Sequence, residues 1–440
     1  MNRNQRTAML LAAAVVALCA VFGAGFLTGT IAGDQGSQPR DQFAGAVAPE
    51  QPADVDAGQD PRPLAFPTAD ARPETPAEFD DVDFALFWEA WSVIQDHFYG
   101  GPLDPEVLRE GAIRGLAEAT EDQHTIYQNS EEAERSRERI RGSFVGVGIR
   151  IELRDETPFV LTPLPDSPAE RAGIRANEFV VAVDGVSTRG MSLDEFGRRV
   201  RGEEGTSVVL TMQPEGSDDT RDISVERARV LVPSVTKDRF DEIGYVRLAN
   251  FGSRTSMELR EALDELEAEG ITALVLDLRN NPGGLLDASV RVAAQFLARG
   301  QTILIQEHRH EGRTRWRVQD EGGDTTTPIL VLVNGGSASA SEIVAGALQA
   351  HGRAQLMGEE TFGKGSMQEL HQLSDESIMR VTSGIWITPN DVNLNDSGLT
   401  PDVPHASSDG PYGGEDDELL QEALSRLRAD RIPDVDPKQP

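Results

Sequence analysis

Cysteine is nearly missing from this chain. The single one, Cys19, lies inside an apolar run at 9–32 and lacks the small residues that a lipid-attachment site needs before it. Everything after residue 32 is cysteine-free, which excludes disulfides and cysteine-based metal centres there. Positive charge is also scarce: 41 Lys and Arg stand against 74 Asp and Glu, a formal net charge of −33. That balance argues against nucleic acid as a partner and against electrostatic attachment to anionic lipid. Long hydrophobic runs are absent except at 9–32, where Arg3 and Arg6 precede the run. The run suits one membrane span with its N-terminus in the cytoplasm, or a cleaved secretory signal; either route exports the rest.

The remainder of the chain falls into blocks. After 1–32 comes 33–80, dense in Pro, Ala, Asp, Gln and Gly, which is expected to be a disordered tether. Residues 81–142 are helical in pattern, with Phe84, Phe87, Trp88, Trp91 and Ile94 at helical spacing, and are expected to pack on the larger folded part of the chain. Short strands alternate through 143–229, with one helix at 192–200. From 230 to 405 strands and helices alternate, the pattern of a layered α/β core. The last block, 406–440, is a linker and one amphipathic helix carrying Leu419, Leu420, Ala423, Leu424 and Leu427.

The chemistry is concentrated at 336–370. TPILVLVN reads as a buried strand, Gly335 and Gly336 break it, and Ile343, Val344, Ala347 and Leu348 then recur at helical spacing. Ser339, the middle serine of SASAS, therefore stands at a helix N-terminus, where unpaired N–H groups can stabilise negative charge on a substrate carbonyl. No histidine lies near in sequence to take its proton. Lys364, between Gly363 and Gly365, can do so if burial lowers its pKa by roughly three units. Gln368 falls on the same side as Lys364 in either a strand or a helix, where its amide can hold the amine. The same residues also suit an ordinary N-cap turn and a solvated Gly-Lys-Gly loop.

GSASASEI followed by GEETFGKGSMQ resembles the carboxy-terminal processing proteases, serine endopeptidases with a Ser-Lys-Gln arrangement. The resemblance implies Ser339 as nucleophile, Lys364 as general base and Gln368 as the group orienting the lysine. DLRNNPGGLL is similar to the family's oxyanion loop, with Gly283 or Gly284 offering one backbone N–H and Ala340 the other. DSPAERAGIRANEFVVAVDGVS resembles a PDZ domain, which binds chain ends by strand addition. The terminal carboxylate would then sit on the loop of Phe144, Val145, Gly146, Val147 and Gly148. The implied fold is α/β: a crotonase- or Clp-protease-like layered core, a β-rich PDZ domain and an N-terminal helical segment.

Other residues receive plainer readings. EDQHTIYQNSEE resembles a family stretch, but His124 is read as structural or surface. Asp277 and Arg279 are read as a structural ion pair. His308 and His310 are read as exposed polar residues, with no metal. Trp386 and Ile387 depart from the family's usual aromatic pair, which raises the prospect of altered substrate subsites. The helix at 417–427 could join a self-association interface or pack on its own subunit.

The function expected is cleavage of exported polypeptides near accessible C-termini, without a cofactor, by an extracytoplasmic enzyme tethered through its N-terminal segment or secreted if that segment is cleaved. A homo-oligomer or a regulatory protein partner is compatible with it. The rivals are an inactive PDZ scaffold and a crotonase-like acyl-transfer enzyme.

Overall fold

The computed structural model describes residues 54–56, 83–309, 311–319, 322–395, 397–406 and 412–429. The expected membrane span or signal at 1–32, most of the tether at 33–80 and His310 lie outside the described residues. Among those described, no helix is long and apolar enough to cross a membrane.

The core is a six-stranded sheet in the order Val235–Phe240, Ile243–Leu248, Ala273–Asp277, Ile329–Val333, Ala354–Gly358, Val403–Pro404. Its first pair is antiparallel and the rest run parallel. Both inner strands, ALVLD and ILVLV, are buried at every position, as parallel strands covered on two faces must be. Helices Thr255–Ala268, Leu286–Ala294 and Ala340–Ala350 cover one face through Leu259, Leu266, Val292, Val344 and Leu348.

The other face is closed by the C-terminal helix Glu418–Arg428. Its Leu419, Leu420, Ala423, Leu424 and Leu427 pack on Ile243, Tyr245, Val275, Leu330, Leu332 and Met357. The apolar stripe of that helix is thus spent within its own chain. A buried network fixes the docking: Arg279 bonds Asp277 and Asp417, and Tyr245 donates to Asp277 at 2.7 Å. The expected Asp277–Arg279 pair is present, extended by a third residue 138 positions from Arg279.

A second sheet carries the lysine loop. It runs Gly312–Arg317, Thr302–His308, Ile378–Ile387, Ser366–Gln372, and Ile126–Gln128 adds antiparallel to Ile378–Ile387. Asp54–Asp56 pairs in parallel with Gly312–Arg317, so this part of the expected tether is ordered. An edge strand offers free backbone groups to any extended chain, whatever its side chains, which is why composition did not reveal the pairing.

The module at 143–229 forms a separate sheet, Ile149–Arg154, Thr157–Pro163, Glu178–Val183, Ser207–Pro214, Arg221–Glu226, with its own core around Val160, Val180, Phe196 and Leu210. Helix Ser130–Arg141 bridges it to the α/β core. Asn129 and Glu132 form a reciprocal capping box at its start, and Gly142 in the left-handed region ends it. From it, Arg137 donates to the Glu376 carbonyl at 2.8 Å, and Arg201 of the module pairs with Glu138 at 3.4 Å.

The first helix, Ala85–His97, departs from expectation. None of its residues is buried, and Phe87, Trp88 and Trp91 stack on one another instead of on the core. Helical spacing of aromatics gives an apolar face but does not say what covers it.

Candidate active site

Three serines compete for the role of nucleophile, and their bonds separate them. Ser337 donates to the Leu278 carbonyl and Ser341 to the Asn281 carbonyl, each at 2.8 Å and each fully buried. Those two stitch the Ser339 turn to the loop after Asp277. Ser339 alone is partly exposed, and its hydroxyl is not used in this stitching. It occupies the N-cap of Ala340–Ala350 with φ 55° and ψ −112°, a conformation that costs a non-glycine residue on the order of 1–3 kcal/mol. The surrounding bonds enforce it: Ser339 N–H donates to Glu342 at 2.7 Å, and Ile343 N–H returns to the Ser339 carbonyl at 2.9 Å.

The loop 280–284 lies against this turn. Asn280 and Asn334 exchange hydrogen bonds, backbone N–H to Oδ1 at 2.9 Å and Nδ2 to Oδ1 at 3.0 Å. Gly283 packs so closely that a Cβ there would fall 2.9 Å from both Ala340 N and Ser339 Cβ. A Cβ on Gly284 would meet the Phe251 carbonyl oxygen at 2.2 Å. Both glycines have positive φ, so the sequence has no other residue for either position. Gly283 N–H is already given to Asn281 Oδ1 at 2.9 Å. Of the two glycines expected at the oxyanion, Gly284 is the one whose N–H is given to no other group among the described residues, and the same is true of Ala340 at the helix start.

Lys364 sits in a loop whose backbone is held on every side. Gly363 N–H donates to Glu342 Oε1 at 2.7 Å and Lys364 N–H to Glu342 Oε2 at 3.0 Å. The Lys364 carbonyl accepts from the Trp386 indole at 3.0 Å, and Gly365 N–H donates to Asn395 at 2.8 Å. A Cβ on Gly363 would meet Gly398 N at 2.6 Å, so the flanking glycines serve close packing of the loop. Trp386 and Ile387 are buried, 1% and 4% exposed. Trp386 is thus a brace for the lysine loop.

Burial, and after it the nearby Arg380 guanidinium, bring the Lys364 amine down to about 8, while Asp122 and Glu342 pull the other way. At pH 7 roughly one lysine in ten is then neutral. Among the described residues, no hydrogen bond joins its Nζ to Ser339 Oγ. Gln368 is placed differently from expectation. Its Nε2 donates to Ser366 at 2.9 Å and Thr382 at 3.3 Å, and its Oε1 accepts from Arg380 at 2.9 Å. It meets the lysine's charged neighbour, with no bond to the amine itself.

His124 belongs to this neighbourhood too. Its backbone N–H donates to Asp122, Thr125 donates to the same carboxylate, and the Thr382 N–H donates to Thr125. Burial, then the charge on Lys364, push the imidazole below its ordinary value. A histidine that reads as structural or surface in sequence is brought beside the lysine by the pairing of Ile126–Gln128 with Ile378–Ile387. His308, read as exposed, is mostly covered and bonds Glu369 at 2.9 Å. Among the described residues no cluster suits a metal ion.

In the β-rich module, Phe144, Val145 and Gly146 belong to strand Ser143–Gly146, which pairs with Ala228–Leu231. The loop proper is reduced to Val147 and Gly148. Gly148 has φ 79°, and a Cβ there would clash with Ser167 at 2.4 Å. Phe144 lines a cavity of about 710 Å³ between helices Ser130–Arg141 and Leu193–Val200, with Leu193, Gly197, Arg198 and Arg201 on its far wall.

Comparison with known proteins agrees with this architecture. Residues 242–405 match Peptidase family S41, and residues 159–214 match the PDZ domain. A carboxy-terminal-processing protease of Bartonella bacilliformis is 37% identical over 325 residues, covering 72% of this chain and 74% of the relative. A CtpA-like serine protease of Staphylococcus haemolyticus is 36% identical over 301 residues, covering 68% of this chain. The chain spans 60% of that relative's length. A Bacteroides fragilis structure classed with the S41 proteases has a TM-score of 0.50 at 16% identity, over 78% of this chain and 97% of its own, a likeness of fold alone. With an α/β core, a PDZ domain, a helical N-terminal region and relatives of this identity and coverage, the chain belongs to peptidase family S41, among the carboxy-terminal-processing proteases.

Proposed function

We propose that this chain is a serine endopeptidase that cleaves exported polypeptides near their C-termini, through an acyl-enzyme on Ser339 with Lys364 as general base. The observation that carries the reading is convergence: the backbone N–H groups of Ser339 and Lys364 meet on one oxygen of Glu342, while Gly283 packs against Ser339 and Ala340.

Neutral Lys364 takes the proton of Ser339 as its Oγ attacks the scissile carbonyl. The oxyanion that forms accepts from the N–H groups of Gly284 and Ala340. The lysine then returns its proton to the leaving amine, and water, deprotonated by the same lysine, releases the acyl group. Oγ and Nζ close to hydrogen-bond distance when substrate displaces water from the site, as catalytic hydrogen bonds commonly do. Gln368 orients the lysine through Arg380.

The PDZ domain captures a hydrophobic chain end, its carboxylate on the N–H groups around Val147 and Gly148, and feeds the chain to Ser339. The N-terminal segment tethers the enzyme on the outer side of the membrane. The decisive comparison is hydrolysis of an unstructured protein by the parent and by Ser339→Ala. Loss of hydrolysis in the variant supports the reading; equal rates would instead favour an inactive scaffold.

A further inference from the structure

The geometry points to Glu342 as a positioning residue, whose carboxylate sets the distance between nucleophile and base by holding the backbones of both. The inference rests on the Ser339–Lys364 reading above.

Glu342 is the third residue of the helix Ala340–Ala350 and is fully buried. Its carboxylate accepts four hydrogen bonds. Oε2 takes Ser339 N–H at 2.7 Å and Lys364 N–H at 3.0 Å; Oε1 takes Thr361 Oγ1 at 2.6 Å and Gly363 N–H at 2.7 Å. Thr361 Oγ1 in turn accepts the Leu399 N–H at 2.7 Å, so its proton points at Glu342. All four partners donate, which no neutral side chain of this size could satisfy. A glutamate three residues after an N-cap serine is an ordinary capping arrangement, and its bond to Ser339 is local. The bonds to 361–364 are not: they reach a loop about twenty residues away that joins Ala354–Gly358 of the core sheet to Ser366–Gln372 of the second sheet. Because one oxygen receives both amides, the two backbone nitrogens cannot separate by more than those two bonds laid end to end. The bonds from Trp386 and Asn395 steady the far side of the loop, and Phe362 N–H donates to the Ser337 carbonyl at 3.0 Å on the near side, but Glu342 is the group that receives the Ser339 and Lys364 amides together.

The charge of Glu342 acts on the amine as well. Arg380 and burial favour neutral Lys364, whereas Asp122 and Glu342 favour the ammonium, and the His124 imidazole faces the same amine. Removing the Glu342 charge therefore lowers the pKa of the base.

The test uses Glu342→Gln and Glu342→Asp in the full chain, with kcat and KM for an unstructured protein followed from pH 6 to 10 and thermal melting recorded alongside. Gln turns one acceptor oxygen into a donor and sets it against two donors. Asp keeps the charge but falls one methylene short. For Gln, kcat should fall about a hundredfold with KM changed little, the cost of a misplacement of roughly 1 Å, and the acid limb should move to lower pH. For Asp, kcat should fall similarly with the limb unmoved. Parent kcat in either variant, or an unmoved limb in Gln, would overturn the inference; a variant that does not fold leaves the other to decide it. Ser339→Ala run beside them keeps the two readings apart. If it hydrolyses as the parent does, the peptidase reading itself fails; if it is dead while Glu342→Gln matches the parent, only the role of Glu342 fails.

Discussion

Gln368 Oε1 accepts a 2.9 Å hydrogen bond from Arg380 Nη2, so the side chain expected to hold the lysine holds the lysine's charged neighbour instead. Arg380 lowers the affinity of Lys364 for its proton, second only to burial. Replacing it by glutamine should therefore raise the lysine pKa and move the acid limb of the kcat profile to higher pH. Each unit of that rise lowers the neutral fraction, and the rate at pH 7, about tenfold. Recovery of the parent rate near pH 10 would separate this effect from damage to the fold.

Asp122 acts in the opposite sense, because its charge favours the ammonium form of Lys364. Asp122→Asn should shift the acid limb to lower pH, and a steady-state pH profile beside that of Arg380→Gln checks the sign. Shifts in the same direction for both variants would mean that neither acts through the charge on the amine.

Gly283 tests the oxyanion arrangement. With φ 97° and a Cβ forced to 2.8 Å from the Ala338 carbonyl oxygen, alanine there must push the loop away from Ser339 and Ala340. The Gly284 N–H moves with it. Loss of one such donor costs about 10²–10³ in kcat, and Gly283→Ala is expected to reach that range while still binding substrate. Single-turnover kinetics read the chemical step directly.

Asp417 tests what holds the C-terminal helix. Arg279 is 0% exposed and Asp417 3%, and removing one partner of a buried pair costs about 3–5 kcal/mol. Because Asp277 still pairs with Arg279, Asp417→Ala should lower stability by no more than that amount in urea unfolding. The Asp417 carboxyl is held below its ordinary range; burial alone would raise it, but its bonds to Arg279 and to the Gly413 and Leu420 N–H groups outweigh that. Its contribution is therefore whole above the unfolded carboxylate pKa near 4 and disappears as pH falls through the lower folded value.

Much of this was legible in the chain and some was not. The two buried strands, the helix after Ser339 and the order of blocks follow from apolar periodicity, which tertiary structure here had no cause to override. The turns that carry Ser339 and Lys364 were legible because neighbouring glycines mark both. Glu342 was not, since its sequence position explains only its bond to Ser339, and three of its four partners are set by other contacts of the fold. His124 and Arg380 were missed for the same reason: a three-residue strand, Ile126–Gln128, brings one to the other, and so short a strand has no periodicity to detect. The bracing role of Trp386 was not legible either, because a departure from a motif does not say that the indole is buried and donates to the lysine loop.

The central claim is that a neutral Lys364 removes the proton from Ser339. The most direct measurement is the second-order rate at which a fluorophosphonate labels Ser339 between pH 6 and 10, in the parent and in Lys364→Ala. The proposed mechanism predicts a rate that climbs through a single ionisation near pH 8 and levels off above it, with the variant labelled at background. A parent rate flat across that range, or a Lys364→Ala protein labelled as fast as the parent, would contradict it.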